Sequence, residues 1–558
     1  MRRGAAGKLT RMWRGLLRRR TRTARENARQ DSGSLWRTDD LGDDFPVDPD
    51  IEKTLEGIEH FLEIPEDITL RRFKSKGFDC ALLYIEGLID PGLLQESVLV
   101  PLMTEINKAE KAGAQVPFDP EGLGQNVIVS HDVKTVDSIQ DVVISALDGY
   151  SILIAGGWPK ALVVNAKGMA KRSVQEPEAE VAVRGPRDGF TEDIITNLSL
   201  IRRRIRHPYL KVRMLTMGRL TRSRVAVVYV QGLARHDLLD EVMARLQRID
   251  IDSVLESGVI EEFIEDSPYS PLPQMDVTER PDRVAAFLLE GKVSIFVDGT
   301  PFVITVPVTL TTFLRMPEDY YNRWFGVSLF RLIRYIGALF SLVLPSFYVA
   351  LTSYHQELLP RSLALAIAMQ REKVPYPSIV EALTMLLVFE VLTEATVRLP
   401  RTLGQTIGIV GAIVIGEAAV RANLISPVMV IVVSLTALAQ FTLPYPITLS
   451  VRLLRIPILT LTSIAGLFGI FCGLILLLLH LSSLRSFGIP FLSPLAPFEH
   501  QEMADTIIRM PWWAKRRRVS FIGDRNPFKM KAGLRPGKPD DPGQALELEK
   551  DAKPGRTD

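Results

Sequence analysis

The chain has 558 residues, 47% of them hydrophobic and 24% charged, with a formal net charge of +2. That length has room for about three or four domains at roughly 150 residues each. Its two cysteines, Cys80 and Cys472, exclude a disulfide framework and a cysteine-rich zinc module.

Ten of the first 25 residues are Lys or Arg. Leu9, Met12, Trp13, Leu16 and Leu17 fall at i, i+3, i+4, i+7 and i+8, the spacing of one helical face. The continuous apolar run of a secretory signal is missing. The arm reads as a helix lying on anionic lipid; an unstructured basic arm and a nucleic-acid contact are the alternatives. A polar, acidic linker, 32–50, completes a first region of residues 1–50.

Two later stretches look alike. Ala81-Leu82-Leu83-Tyr84-Ile85-Glu86-Gly87-Leu88 resembles Ala226-Val227-Val228-Tyr229-Val230-Gln231-Gly232-Leu233. Each is an apolar, β-prone run closed by glycine, and helical patterns follow at 93–109 and 237–248. Farther on, Val142, Leu147-Asp148-Gly149 and Gly156-Gly157-Trp158-Pro159 match Val284, Leu289-Glu290-Gly291 and Asp298-Gly299-Thr300-Pro301. In both, a helix ends at glycine, and a strand, a glycine turn and a second strand follow. The pattern predicts two related α/β subdomains, 51–174 and 210–316, each with strands packed under amphipathic helices. A polar, mainly helical connector, 175–209, joins them.

No catalytic constellation stands out in this region. The seven histidines are scattered, and no phosphate loop or dinucleotide fingerprint follows a strand. Glu261-Glu262 read as solvated carboxylates. The arginines of 202–206 read as an exposed helical face or a contact to an acidic partner. Aromatic residues that would stack bases are not interleaved with them, which argues against nucleic acid.

Near Arg331 the chain changes solvent. Apolar segments at about 335–352, 379–397, 405–420, 424–443 and 457–481 approach the roughly 20 residues that a transmembrane helix needs. A polytopic α-helical domain is expected over 317–490, and a basic tail over 491–558, disordered after about 531. Arg323, Arg331 and Arg334 precede the first segment; Arg485, Arg509 and the basic residues of 515–518 follow the last. The positive-inside rule puts both flanks in the cytoplasm and requires an even number of crossings. Five segments break that parity, so four crossings are expected, with 379–397 or 405–420 re-entrant or interfacial. Pro345, Pro427, Pro444, Pro446 and Pro457 are expected to break helices.

Glu381, Glu390, Glu394 and Glu417 lie inside or at the ends of apolar runs, with Arg398 one turn beyond Glu394. A charge facing lipid costs several kcal/mol, so these groups should face protein, a cavity or a pore. They suit a column of carboxylates in a cation path formed by several copies. They equally suit a Glu394–Arg398 pair, with Glu390 bonded to a neighbouring helix. The spacing of Gly404, Gly408, Gly411 and Gly416 suits close helix packing.

Several motifs resemble GerA-type spore germination A subunits. One is Glu176-Pro177-Glu178 followed by Val183-Arg184-Gly185-Pro186-Arg187-Asp188-Gly189-Phe190. Others are Glu265-Asp266-Ser267-Pro268-Tyr269-Ser270-Pro271, Thr278-Glu279-Arg280-Pro281-Asp282-Arg283 and Pro317-Glu318-Asp319-Tyr320-Tyr321. Arg398-Leu399-Pro400-Arg401, Leu492-Ser493-Pro494-Leu495-Ala496-Pro497 and Pro511-Trp512-Trp513 continue the likeness. The resemblance covers about 60–530. It implies a non-enzymatic subunit of a nutrient receptor in the inner membrane of a bacterial endospore, without a cofactor. It further implies a transporter-like B subunit and a lipoprotein C subunit as partners. Self-association into a ligand-gated cation channel is expected, with the soluble region and tail in the spore core. A SpoVAF-like accessory protein shares the motifs and remains the alternative, as does a non-conducting scaffold.

Overall fold

The structure is a computed structural model that describes residues 45–62, 65–105, 118–168, 176–177, 180, 184–398, 416–498, 503–518, 528–530 and 534–536. The basic arm and most of the linker and of segment 405–420 lie outside the described residues, as does most of the chain after 531. The chain forms two compact units. One comprises 1–171, 205–211 and 513–558; the other comprises 172–204 and 212–512.

The first unit holds helix α1 (Ile51–Leu62) and strands β1 (Ile68–Ser75) and β2 (Phe78–Ile85). Then come helix α2 (Pro120–Asn126), β3 (Val133–Val136), helix α3 (Ile139–Leu147), β4 (Ser151–Ala155) and β5 (Ala161–Val164). The sheet order is β1-β2-β4-β5-β3. β4 and β5 are buried along their whole length because both faces of the sheet are covered. Leu55, Ile58, Val142, Val143 and Ala146 pack on one face. Leu94, Val98, Leu102, Leu123 and Trp158 pack on the other. The helix expected at 93–109 begins as one α-turn at Pro91–Leu94, capped by Asp90, and continues as π-turns at Gln95–Leu99 and Pro101–Glu105. Its remainder lies outside the described residues.

In the second unit, helix α4 (Ile194–Arg204) precedes a lobe of β6 (Leu210–Met217), β7 (Ser223–Val230), helices α5 (His236–Arg248) and α6 (Ser257–Ile264), β8 (Asp276–Thr278), helix α7 (Pro281–Glu290), β9 (Val293–Val297) and β10 (Val303–Val306). The strand order is β6-β7-β9-β10-β8, so the duplicated motifs fold into the same topology. Gly149 and Gly291, which end α3 and α7, both take positive φ (86° and 98°), the left-handed conformation that lets a helix stop within one residue.

The connector differs from expectation. Of its described residues only α4 is helical; 184–193 runs without regular structure. Backbone groups that a helix would use internally are bonded to the second lobe instead. Phe190 N donates to Glu279 O at 2.8 Å, and Pro186 O accepts from Arg280 Nη2 at 3.2 Å.

Among the described residues the helical region contains α8 (Trp324–Ser353), α9 (Arg361–Arg371), α10 (Ser378–Arg398), a helical turn at 416–421, α11 (Pro427–Gln440), α12 (Tyr445–Ala465) and α13 (Leu467–Ser483). Trp324–Ser353 and Pro446–Ala465 are long and apolar enough to cross a membrane; α11 and α13 are apolar but shorter. The apolar run 457–481 is not one helix. It is divided at Gly466 (φ 59°), where α12 ends and α13 begins. Glycines on the second helix meet successively earlier residues of the first, Gly469 against Leu461 and Gly473 against Ile458, so the two run antiparallel. A Cβ on Gly469 would collide with the Leu461 carbonyl.

Pro427, Pro444 and Pro446 do start helices, but Pro345 and Pro457 lie inside α8 and α12. An internal proline withdraws a donor from the carbonyl four residues earlier. For Pro345 that carbonyl belongs to Ser341, and the Arg455 guanidinium supplies the replacement: Nε to Ser341 O is 2.7 Å. Arg331 is no boundary either. α8 starts seven residues before it, and Arg331 and Arg334 are buried on one side of the helix while Phe325, Leu329, Phe330 and Leu332 are exposed.

After α13 the chain returns to the second lobe. Ser486 Oγ donates to Gln274 O at 2.7 Å and accepts from Val308 N at 3.0 Å. Phe487 N donates to Asp266 at 2.7 Å. Both ends of the helical region therefore meet the same lobe.

Candidate functional site

The five residues expected to carry charge among the apolar helices do not form one cluster. Glu381, in the first turn of α10, is 1% exposed; its Oε2 accepts from Ser426 N at 2.9 Å, and its Oε1 lies 3.6 Å from Arg371 Nε. Glu390 reaches Arg452 of α12 at 2.9 Å. Glu394 and Arg398 pair along α10 at 2.6 Å, with side chains 64% and 77% exposed. Glu417 pairs with Arg421 at 2.5 Å, also exposed. Each carboxylate has a basic partner in its own chain. Glu390 and Glu394, four apart, lie on the same side of α10 but take different partners, Arg452 and Arg398. The first is bonded to α12, and the second stays exposed along its own helix.

Sequence reasoning missed a second set of charges. Arg455 is 2% exposed and donates from Nη2 to Ser341 Oγ and Gln440 Oε1, each at 2.9 Å. It thereby joins α8, α11 and α12 without a carboxylate. Its signal is present in the sequence, as arginines at 452 and 455 directly before an apolar run, but a segment that starts at Pro457 leaves both outside it.

At the start of α8, Arg331 Nε binds Asp319 at 2.7 Å and Nη1 binds Asp505 at 2.9 Å. Arg334 binds Asp319 as well, at 3.2 Å. Tyr320 donates to Asp505 at 2.9 Å; burial raises the Tyr320 hydroxyl pKa, with the Asp505 charge adding to it. These bonds tie the turn before α8 to the tail that follows α13.

In the second lobe, buried charge gathers around α7. Asp276 is fully buried and paired with Arg283 at 2.7 Å; burial pushes its carboxyl up to about 6, against the Arg283 charge. Arg283 also holds Glu180 of the connector at 3.1 Å. Arg280 clamps Asp282 with Nε and Nη2 (3.1 and 2.9 Å), and Asp282 accepts from Tyr321 at 2.5 Å. Burial pushes the Lys292 amine down to about 8. Glu261 is not simply solvated: burial first, then the Glu265 charge, push it up to about 7. Arg202 is buried and so is no exposed face; of its neighbours, Arg204 pairs with Asp188 at 2.5 Å. Cys80 is a buried free thiol raised to about 11 by burial, which leaves it protonated at neutral pH. Among the described residues no group of three or more His, Cys, Asp or Glu could hold a metal ion.

Residues 56–521 match the family model described as Bacillus/Clostridium GerA spore germination protein. The chain is 43% identical over 477 residues to the Uncharacterized membrane protein YfkQ of Bacillus subtilis (strain 168), covering 85% of this chain and 92% of that one. It is 40% identical over 494 residues to Spore germination protein KA of the same organism, covering 88% and 90%. A crystal structure of the N-terminal domain of the A subunit of the Bacillus megaterium spore germinant receptor GerK3 aligns with 48% of this chain and 97% of its own, at 31% identity and a TM-score of 0.38. The family match takes in both lobes and the helices, and the chain belongs to the GerA family of spore germination proteins.

Proposed function

We propose that this chain is the A-type subunit of a germinant receptor, working with a transporter-like B subunit and a lipoprotein C subunit in the inner membrane of a bacterial endospore. Several copies assemble around a cation path that opens when a nutrient binds. The lobes and the tail face the cytoplasm, and the basic arm of residues 1–25 rests on anionic lipid. No nucleic acid, cofactor or catalytic step takes part.

The observation that carries the germination role is the extent of the family match, residues 56–521. For the membrane setting, both ends of the helical region meet the same lobe, which supports an even number of crossings, four with one segment re-entrant or interfacial. For the path, the Glu394–Arg398 and Glu417–Arg421 pairs are exposed on single helices. Charge at that depth calls for water or another protein surface.

A SpoVAF-like accessory role or a non-conducting scaffold is the second reading. What favours it is that Glu381, Glu390, Glu394 and Glu417 are all paired within one chain. Liposomes holding the three subunits decide between them. Nutrient-triggered potassium efflux is expected, and Glu390→Gln or Glu394→Gln should lower it about tenfold, a barrier change of ~1.4 kcal/mol, at unchanged protein level. Equal rates in both variants remove these residues from the path, and no flux under any nutrient selects the scaffold.

A further inference from the structure

Glu381 is enclosed more completely than the other carboxylates of the helical region. Its Oε2 is satisfied by the Ser426 amide. Among the described residues its Oε1 has no hydrogen-bond partner, and neither has Arg371 Nε, 3.6 Å away. The gap is too long for a hydrogen bond. A buried carboxylate oxygen left without a hydrogen bond is costly, and the Arg371 charge offsets that cost only at a distance.

The surroundings are rich in oxygen. Tyr348 and Ser426 lie hydroxyl to hydroxyl at 3.4 Å, and Thr352 and Ser378 at 3.0 Å; all four are buried. Ser378 and Glu381 are three residues apart on α10 and so share a face. Each hydroxyl has lone pairs beyond the bonds it makes, and can turn one toward a cation while it keeps its present partner. Oxygen-only donors select hard cations, and divalent ions are usually held by several carboxylates. A single carboxylate balances one positive charge.

Arg371 is weakly anchored. It ends α9, a helix whose buried surface amounts to Ile367, with Leu363, Leu365 and Met369 exposed. Its other contact is long, Nη1 to Thr352 O at 3.5 Å. Elements with few buried contacts open at little cost.

We propose that Glu381 and the hydroxyls of Tyr348, Thr352, Ser378 and Ser426 form a site for a monovalent alkali cation, with Arg371 acting as a tethered cation that occupies it and leaves when α9 lifts. The inference rests on the reading of these helices as lipid-embedded. It is separable from conduction, because binding is read without flux.

The test uses the full chain in detergent, with potassium or sodium chloride replacing choline chloride at constant ionic strength. Wild type should show little cation dependence, because Arg371 competes. Arg371→Gln should gain a rise in melting temperature of about 2–4 °C in potassium or sodium. Glu381→Gln combined with Arg371→Gln should abolish that gain. Arg371→Lys, which keeps the charge but shortens the reach, serves as the milder second variant and should respond at higher salt. Equal melting temperatures of Arg371→Gln and Arg371→Lys in alkali and choline salts would overturn the proposal. So would a cation-induced rise that persists in the double variant. A chain that binds alkali ions in this way but conducts none would sink the channel reading and leave this site standing.

Discussion

The two lobes share a strand order but not an interior. In the first, Lys134 of β3 pairs with Val163 of β5, which pairs with Ile152 of β4. In the second, the corresponding three are Asp276 of β8, Thr305 of β10 and Ser294 of β9. Lys134 is 66% exposed and meets Asp132 in solvent, whereas Asp276 is sealed against Arg283 above a Ser294–Thr305 hydroxyl pair at 3.0 Å. Both lobes have an apolar core, but the second adds a buried charged cluster at a place where the first has apolar side chains and an exposed lysine. The second lobe is the one wired to the connector through Glu180 and to the turn before α8 through Tyr321. A buried ion pair is weak support for stability as such, but removal of one partner is severe. The second lobe therefore exchanges tolerance for a fixed docking geometry.

The sharpest way to break the contrast is Arg283→Ala. It strands Asp276 in the interior and should cost about 3–5 kcal/mol in urea unfolding of the solubilised chain. In the first lobe, Asp141→Ala, at the position on α3 that corresponds to Arg283, should stay within ~0.5 kcal/mol. Equal costs would erase the distinction. Tyr321→Phe is milder. It removes one hydrogen bond to a charged acceptor, worth about 1.5–3 kcal/mol, and should raise amide exchange of 184–190 and 280–283 while the first lobe is unaffected.

The smallest expected effect is a pH dependence. Glu261 has a folded pKa of about 7, above its unfolded value, so the folded chain holds the proton more tightly. Its contribution is present at low pH and is lost as pH rises through 7. Glu261→Gln removes that slope. Melting temperatures of variant and wild type should differ more in the variant's favour at pH 8 than at pH 5, and a constant difference would place Glu261 in solvent.

Much of the architecture was legible because it is local. The run Ala81–Leu88 and its counterpart at 226–233 carry strand, turn and glycine in one window, and both lobes followed from them. The helical region was legible by hydropathy, but its internal joints were not. Residues 457–481 are continuously apolar, and nothing in that window separates Gly466 from Gly469 or Gly473. Only the fold shows that the first makes a turn while the other two seat one helix on the other. Pro457 offered the opposite error, a breaker that α12 absorbs. The pairing of Glu390 with Arg452 spans 62 positions and is a product of packing, beyond the reach of periodicity. The connector misled for the same reason: its helical composition yields to bonds made with residues nearly 100 positions away.

α13 has a mechanical consequence. Its 17 residues make a rod of about 25 Å. At one end Phe487 and Ser486 are bonded to the second lobe. At the other, Gly466 sits against Tyr354 and His355 at the end of α8 with no loop to take up slack. The rod thus joins the second lobe to the far end of α8 by direct contacts at both of its ends.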